Sequence, residues 1–205
     1  MDMRIGIVCG CAAAAMAAGA LSEQAILAHL DRMMSTPGQR YANIEKAEGA
    51  YMRDLVRKVN TKRAVEVGTS TGYSGIWIAL ALKETGGRLV TLEIDKGRHD
   101  VAVANFKAVG VDGLIDARLG DALAEIPKVE GPLEFAFIDA AKDQYLKYYE
   151  LILPKMRKGG VIVAHNVKSH PEPMRDFLTR IGNDPKVRTE IVSPGYQGFS
   201  VSWVK

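Results

Sequence analysis

The chain has 205 residues, of which 47% are hydrophobic and 25% are charged. These values are typical of one globular domain with a single buried core. The net charge is only +3, and no run of lysines or arginines exceeds two residues. This pattern argues against a nucleic-acid-binding groove, so no nucleic-acid partner is expected.

The first 21 residues differ in composition from the rest of the chain. Ile5 to Leu21 contains no charged residue, follows Arg4 and ends in small residues at 18–20. The pattern is typical of a secretory signal, but it also fits an alanine-rich helix that packs on the domain or on a second copy. It is too rich in alanine and glycine for a stable membrane span. Both cysteines lie in this segment, so residues 22–205 contain no disulfide and no cysteine metal site.

Two helices are predicted before the first strand. Ser22 suits the N-cap of a helix over 23–34, and residues 35–38 contain the breakers that end it. A second helix ends near Asn60, and its apolar face is predicted at Ala47, Ala50, Tyr51, Leu55 and Val59.

From residue 64 onward, strand-like and helix-like patterns alternate. Strands are predicted at 64–67, 88–93, 115–119, 134–138 and 160–164, and helices at 74–84, 97–109, 121–126, 143–152 and 172–181. Two closing strands, 187–193 and 199–204, have no helix between them and are expected to form an antiparallel hairpin. The alternation predicts an α/β fold with a parallel sheet covered on both faces, in one domain over 22–205.

The stretch from Ala64 to Gly75 joins a strand to a helix through a glycine-rich turn. Its spacing is G-x-x-x-G-x-x-G rather than the G-x-G-x-x-G of dinucleotide-binding proteins, and Glu66 precedes the first glycine by two residues. A carboxylate there repels a pyrophosphate but suits a cationic ligand. S-adenosylmethionine (SAM) meets this requirement because it carries a sulfonium and an ammonium group and no phosphate. An ordinary strand–turn–helix joint is the alternative.

Two further acids follow predicted strands. Glu93 lies 21 residues beyond Gly72. An acid at this distance suits a bidentate hydrogen bond to two ribose hydroxyls, although a solvated strand end is the alternative. Asp121 could accept a hydrogen bond from an adenine amine or cap the helix that follows it, and the sequence leaves both interpretations open.

A second group of polar residues follows the fourth and fifth strands. Asp139, His165 and Asn166 come at the ends of these strands, where they could share one cation. Lys142 lies one turn into the next helix and could reach the same place as a general base. The alternatives are a surface lysine and a core histidine that donates to a backbone carbonyl.

Taken together, these residues resemble the cation-dependent O-methyltransferases, which include the catechol and caffeoyl-CoA enzymes. The resemblance covers about residues 22–205, and its motifs are Glu66–Gly68 with Gly72–Ser74, Glu93, Asp139–Tyr145 and Gly159–Asn166. Asn43-Ile44 is similar to the segment that closes over the methionine part of the cofactor in that family.

The resemblance implies a Rossmann-like, doubly wound, seven-stranded and mostly parallel sheet, with SAM as methyl donor. It also implies a divalent cation chelated by two adjacent phenolic oxygens of the substrate. The metal ligands would be Asp139, His165 and Asn166, and Lys142 would be the base. The cofactor-binding residues would be Asn43, Ile44, Glu66, Gly68, Tyr73, Ser74, Glu93, Ile94, Asp121 and Asp139.

The chain departs from the family pattern at two positions. His165 stands where the family usually has aspartate, and Ala141 stands where caffeoyl-CoA-type members commonly have an acid. Imidazole is a poor ligand for Mg²⁺, so a transition metal such as Co, Ni, Zn or Fe is favoured over Mg, unless the site works weakly or without metal. The loop 195–198 offers no acid to orient a catechol, which leaves the substrate open.

The expected activity is methyl transfer from SAM to a hydroxyl of a small catechol-like phenol, with the metal and Lys142 assisting deprotonation. The alternative is a SAM-binding protein with lost or metal-independent chemistry at His165; a nicotinamide oxidoreductase is disfavoured by Glu66 and the glycine spacing. Because SAM is made in the cytosol, a cytoplasmic protein is expected, with residues 1–20 packed as a helix or in a homodimer contact. Export through a signal at residues 1–20 is the alternative.

Overall fold

A computed structural model describes residues 21–38 and 43–205 of the chain. Apart from Leu21, the apolar segment 1–21 lies outside the described residues, so both interpretations of it stay predictions. No helix in the described part of the chain combines the length and hydrophobicity needed to cross a membrane.

The structure confirms the predicted order of helices and strands. The helices are α1 Glu23–Ser35, α2 Lys46–Lys58, α3 Tyr73–Thr85, α4 Lys96–Ala108, α5 Ala122–Glu125, α6 Tyr145–Ile152 and α7 Arg175–Asn183. The strands are β1 Arg63–Val67, β2 Arg88–Glu93, β3 Ile115–Leu119, β4 Leu133–Ile138, β5 Met156–His165, β6 Val187–Val192 and β7 Phe199–Val204. The largest difference is at β5, which begins four residues earlier than predicted. Short 3-10 turns also replace the predicted end of α5 and the first residues of α6 and α7.

All seven strands form one sheet in the order β3-β2-β1-β4-β5-β7-β6. The pairs from β3 to β5 are parallel, whereas β7 is antiparallel to both β5 and β6. The Rossmann-like sheet with a closing antiparallel hairpin is therefore confirmed. The strand order changes direction between β1 and β4, which is where open α/β sheets bind ligands.

The helices cover the two faces of the sheet separately. Alternate side chains of β1 and β4, such as Ala64 and Phe135, pack with α1 to α4 on one face. The intervening ones, such as Val65 and Ala136, pack with α5, α6 and α7 on the other. These strands are buried on both faces, and their sequences are therefore almost continuously apolar. An acid within them, such as Glu66, needs hydrogen-bond partners from the protein interior.

The first turn of α2 corrects one detail of the sequence interpretation. Ala47 and Ala50, assigned to the apolar face, are exposed, whereas Glu48 and Gly49 are buried. Glu48 points inward because it forms a capping box with Glu45, in which the Glu45 backbone N–H donates to Glu48 Oε2 at 2.9 Å. As a result, a carboxylate of α2 faces the carboxyl end of the sheet.

Candidate active site

A cavity of about 550 Å³ opens at the carboxyl ends of β1 and β4, at the switch point of the sheet. A smaller cavity of about 160 Å³ adjoins it and shares part of its lining. The larger cavity is lined by Asn43, Gly68, Ser70, Glu93, Ile94, Arg98, Asp139, Ala140, Ala141, Lys142, His165, Asn166, His170 and Gln197. The two closely spaced cavities bring together polar residues from seven separate stretches of the chain.

Gly68 forms the floor between the two strand ends. Its φ is 98°, and a Cβ atom there would lie 2.1 Å from the backbone oxygen of Asp139. The two strands are held this close because the Asp139 backbone N–H donates to Val67 O at 2.8 Å. Only glycine fits such an approach, so any ligand at this point meets backbone rather than a side chain.

Glu66 lies beneath this floor and does not line the cavity. Its Oε2 accepts a hydrogen bond from Thr91 Oγ1 at 2.6 Å, and its Oε1 accepts one from Ser74 Oγ. Burial raises the pKa of Glu66 to about 7, although these two hydrogen bonds oppose the rise. Ser74, Tyr73 and Ile44 are likewise buried and do not line the cavity. The contact of these three residues and of Glu66 with a cofactor therefore stays a prediction.

Glu93 is placed at the cavity with its carboxylate oriented by backbone groups. Its Oε2 accepts from the Ser70 N–H at 2.8 Å, and its Oε1 accepts from the N–H groups of Ile94 and Asp95, both at 3.0 Å. The residue is 5% exposed and lines both cavities. The predicted residues Ile94 and Asn43 line the same cavity.

Asp121 serves as a helix cap, one of the two roles that the sequence left open. Its Oδ1 accepts the Leu123 backbone N–H at 2.9 Å, at the first turn of α5. It also lines the smaller cavity beside Glu93 and Ile94, so the second role, toward an adenine amine, stays a prediction.

Asp139 connects the predicted base with the predicted histidine ligand. Its Oδ1 accepts from Lys142 Nζ at 2.7 Å, and its Oδ2 lies 3.0 Å from His165 Nδ1. Lys142 Nζ also donates to the Tyr145 hydroxyl at 2.8 Å. Burial acts to raise the pKa of Asp139, but the His165 hydrogen bond and the charges of His165 and Lys142 outweigh it, so the pKa lies below its usual value.

His165 has a second carboxylate on the other side of its ring. Its Nε2 lies 3.1 Å from Glu48 Oε2, a distance suited to an ion pair, although the two atoms are not aligned as in a good hydrogen bond. The Phe199 ring packs edge-on against the imidazole, with the centroids 5.1 Å apart. Burial alone would lower the pKa of His165, but the contacts with Asp139 and Glu48 raise it to about 9.

The predicted metal ligands do not form a cation site in this arrangement. Both nitrogens of His165 face carboxylate oxygens of the protein, and Asn166 directs its Nδ2 to Gln197 Oε1. Within residues 21–38 and 43–205, no group of three or more His, Cys, Asp or Glu side chains is arranged to hold a metal. The expected set of Asp139, His165 and Asn166 therefore stays a prediction, and this arrangement does not favour it, because both nitrogens of its imidazole already face carboxylates.

The sequence interpretation missed several residues of the site, among them Glu48, which contacts His165 but does not line the cavity. Glu48 was missed because the apolar face of α2 was placed one residue too early; its spacing of four and seven residues from Met52 and Leu55 was the available signal. Ser70, Arg98, His170 and Gln197 line the cavity, and nothing in their local pattern distinguished them from loop or helix-surface residues.

Comparisons with known proteins agree with the geometry. The sequence profile described as O-methyltransferase matches residues 4–189. The flavonoid 3',5'-methyltransferase of Vitis vinifera is 34% identical over 148 residues, which cover 66% of this chain and 63% of that protein. The catechol O-methyltransferase of Niastella koreensis is 34% identical over 138 residues, which cover 65% of this chain and 62% of that protein. The chain thus matches less than two thirds of the length of either relative.

Solved structures give the same result over a longer stretch. The O-methyltransferase from Bacillus cereus, crystallised with SAH, is 28% identical with a TM-score of 0.78, covering 90% of this chain and 92% of that one. An O-methyltransferase of tomaymycin synthesis from Streptomyces achromogenes, crystallised with SAM, is 26% identical with a TM-score of 0.76, covering 92% of both chains. Sequence and structure together show that this chain belongs to the O-methyltransferase family.

Proposed function

We propose that the protein transfers a methyl group from SAM to a hydroxyl of a small phenol. The observation that carries the proposal is the meeting of Glu93, Asp139 and Lys142 in one cavity at the switch point of the sheet. A cofactor anchor and a base at one site are what a group-transfer enzyme needs, and family membership is consistent with this activity.

The cofactor would lie across the two adjoining cavities. Glu93, with its carboxylate already oriented by backbone N–H groups, would accept hydrogen bonds from the two ribose hydroxyls. The adenine would enter the smaller cavity beside Asp121, and the methionine part would lie over Gly68 toward Asn43. The SAH and SAM complexes of the two structural relatives support this choice of cofactor.

Lys142 would act as the general base. In its neutral form its Nζ accepts the phenolic proton, and the phenolic oxygen then attacks the methyl carbon in line with the C–S bond. That bond breaks with its electron pair left on sulfur, and S-adenosylhomocysteine (SAH) is released. Asp139 and Tyr145 fix the position of the amine through the contacts of 2.7 and 2.8 Å. Because the residues present do not fit a metal, no step of this mechanism passes through one.

The substrate class proposed is a small phenol of the catechol type, as the names of the grapevine and Niastella relatives suggest. Tyr196 stands 84% exposed in the loop between β6 and β7, next to Gln197 of the lining. An exposed aromatic ring at that place could stack on a phenol. The loop has no acid to select a second hydroxyl, so the proposal extends to phenols without a vicinal diol.

The test combines binding with transfer. Calorimetry should show binding of SAM and SAH and none of NAD, and labelled SAM should methylate members of a panel of catechols and simple phenols. Lys142→Met should lower kcat by roughly 10²–10⁴-fold and leave SAH affinity nearly intact. Binding without transfer to any acceptor would favour the alternative of a SAM-binding protein, and a fully active Lys142→Met would end the assignment of the base.

A further inference from the structure

The carboxylates of Glu48 and Asp139 stand on opposite sides of the His165 ring. The distances are 3.1 Å from Nε2 to Glu48 Oε2 and 3.0 Å from Nδ1 to Asp139 Oδ2. The side chains of His165 and Glu48 are 2% and 0% exposed. With a hydrogen-bonded carboxylate at Nδ1 and a second carboxylate within ion-pair distance of Nε2, the geometry favours the positively charged imidazolium.

The protein builds this arrangement from three distant elements. Glu48 is directed inward by the capping box of α2, and Gly195 closes over it so tightly that a Cβ atom there would lie 2.8 Å from the Glu48 carboxyl carbon. Phe199 packs against the ring from β7. A buried carboxylate without a positive partner strongly destabilises a protein. A positive charge on His165 would offset the cost of burying the Glu48 carboxylate.

The same contacts occupy both oxygens of Asp139 and one of Glu48, whereas Glu48 Oε1 has no hydrogen-bond partner among the described residues. Asp139 Oδ1 is bonded to Lys142, Asp139 Oδ2 to His165, and Glu48 Oε2 to the Glu45 backbone N–H and His165. A metal that used Asp139 would have to displace a cationic side chain that is already in place. A charged ring in the wall of the cavity, beside Lys142, would instead offset the negative charge that develops on the phenolic oxygen.

We propose that the His165 ring, clamped between Glu48 and Asp139, takes the place of a divalent cation, so that this chain transfers methyl groups without metal and Glu48 is a positioning residue. The proposal rests on the proposed function, since it concerns how that reaction is assisted. The rise in the pKa of His165 to about 9 is consistent with it.

The first test measures metal binding and does not require activity. The full chain is treated with chelator, dialysed, saturated with SAH and titrated calorimetrically with Mn²⁺ and with Co²⁺. The wild type should bind neither ion stoichiometrically.

His165→Asp should bind Mn²⁺ at least about tenfold more tightly than the wild type does, because a carboxylate replaces the ring. The double variant His165→Asp, Glu48→Gln avoids the repulsion of three neighbouring carboxylates and should fold and bind Mn²⁺ even if the single variant does not fold. One equivalent of metal bound by the wild type, or no gain in the double variant, overturns the proposal.

The second test follows methyl transfer by the wild type with chelator and with added Mg²⁺, Co²⁺, Ni²⁺ or Zn²⁺. Equal rates support the proposal. A wild type that transfers methyl groups only with a metal overturns this inference and leaves the proposed function intact. If no acceptor is methylated under any condition, the proposed function fails, and the metal titration still decides the inference.

The third test separates positioning from mere stability. Glu48→Gln should lower kcat about tenfold or more and change the Kd for SAH less than about twofold. Asp54→Asn is the matched control, because Asp54 is an exposed acid of the same helix that pairs with Arg57 rather than with His165. An unchanged kcat in folded Glu48→Gln, or an equal fall in the control, refutes the positioning role.

Discussion

Replacing Glu66 with glutamine should make the protein more stable above neutral pH. The carboxyl is fully buried under the glycine turn, and its pKa of about 7 lies above the ordinary value of 4.5. The folded protein therefore binds the proton of this group more tightly than the unfolded chain does. The stability that the group contributes is present below pH 4.5 and is lost as the pH rises through 7.

The difference between the two pKa values corresponds to about 3 kcal/mol of unfolding free energy lost between acidic and alkaline pH. Glutamine has nearly the same shape and never carries the charge. Its oxygen can accept from one of the hydroxyls of Ser74 and Thr91, and its amide can donate to the other. Allowing for imperfect hydrogen bonds, the variant should gain about 1–3 kcal/mol over the wild type at pH 8.5 and little or nothing at pH 5.

The assay is urea denaturation of wild type and variant without cofactor at both pH values. The difference in unfolding free energy between the two proteins cancels the contributions of the other titrating groups. One of them is His165, whose raised pKa contributes stability that is lost as the pH rises through about 9. Glu134→Gln is the control, because that carboxylate accepts two backbone N–H groups and pairs with Arg157, so the variant should lose stability at both pH values. The same free-energy difference for Glu66→Gln at pH 5 and pH 8.5 would refute the reasoning.

Two further predictions concern the cofactor end of the cavity. Glu93→Ala should weaken SAM and SAH binding by about 1.5–3 kcal/mol, as expected for lost charge-assisted hydrogen bonds, and unchanged affinity by calorimetry would remove Glu93 from the site. Gly68→Ala should destabilise the fold by about 2–4 kcal/mol in urea and reduce SAH binding, because its Cβ would collide with the Asp139 backbone oxygen. Gly110→Ala is its control: it has a similar positive φ of 66° but nothing within 4 Å, so it should cost only about 1 kcal/mol. Equal losses in the two glycine variants would contradict the steric argument.

The fold could be predicted almost completely because its determinants are local and periodic. Runs such as Phe135 to Ile138 are apolar at every position, which indicates a strand covered on both faces, and each is followed by a helical pattern. Such a sheet gathers the ends of its parallel strands at one edge. For that reason the positions of Glu93, Asp139 and His165 at a common cavity also followed from the sequence.

The hydrogen-bond and ion-pair partners of these side chains could not be predicted from the sequence, because they depend on contacts between distant parts of the chain. His165 was assigned to a metal on the basis of its neighbours at the strand ends, but Glu48 reaches it from α2, more than 100 residues earlier. Periodicity indicates which face of a helix is buried but not which buried acid meets which base, and here an N-terminal capping box shifted the face itself. The sequence also could not decide the role of Asp121, because a helix cap and a ligand contact can both use an aspartate.

The position of β7 determines when the site can form during synthesis. Although β7 comes last along the chain, it lies between β5 and β6, and its first residue, Phe199, is in register with His165. Gly195, which covers Glu48, precedes it by only four residues. A nascent chain stopped before residue 195 can form the five parallel strands but lacks the residues that cover Glu48 and His165, and the edge of β5 is then unpaired. The proposed chemistry therefore depends on a segment made after all five parallel strands, and truncation before residue 195 should abolish it before it abolishes the helices and strands of the first 150 residues.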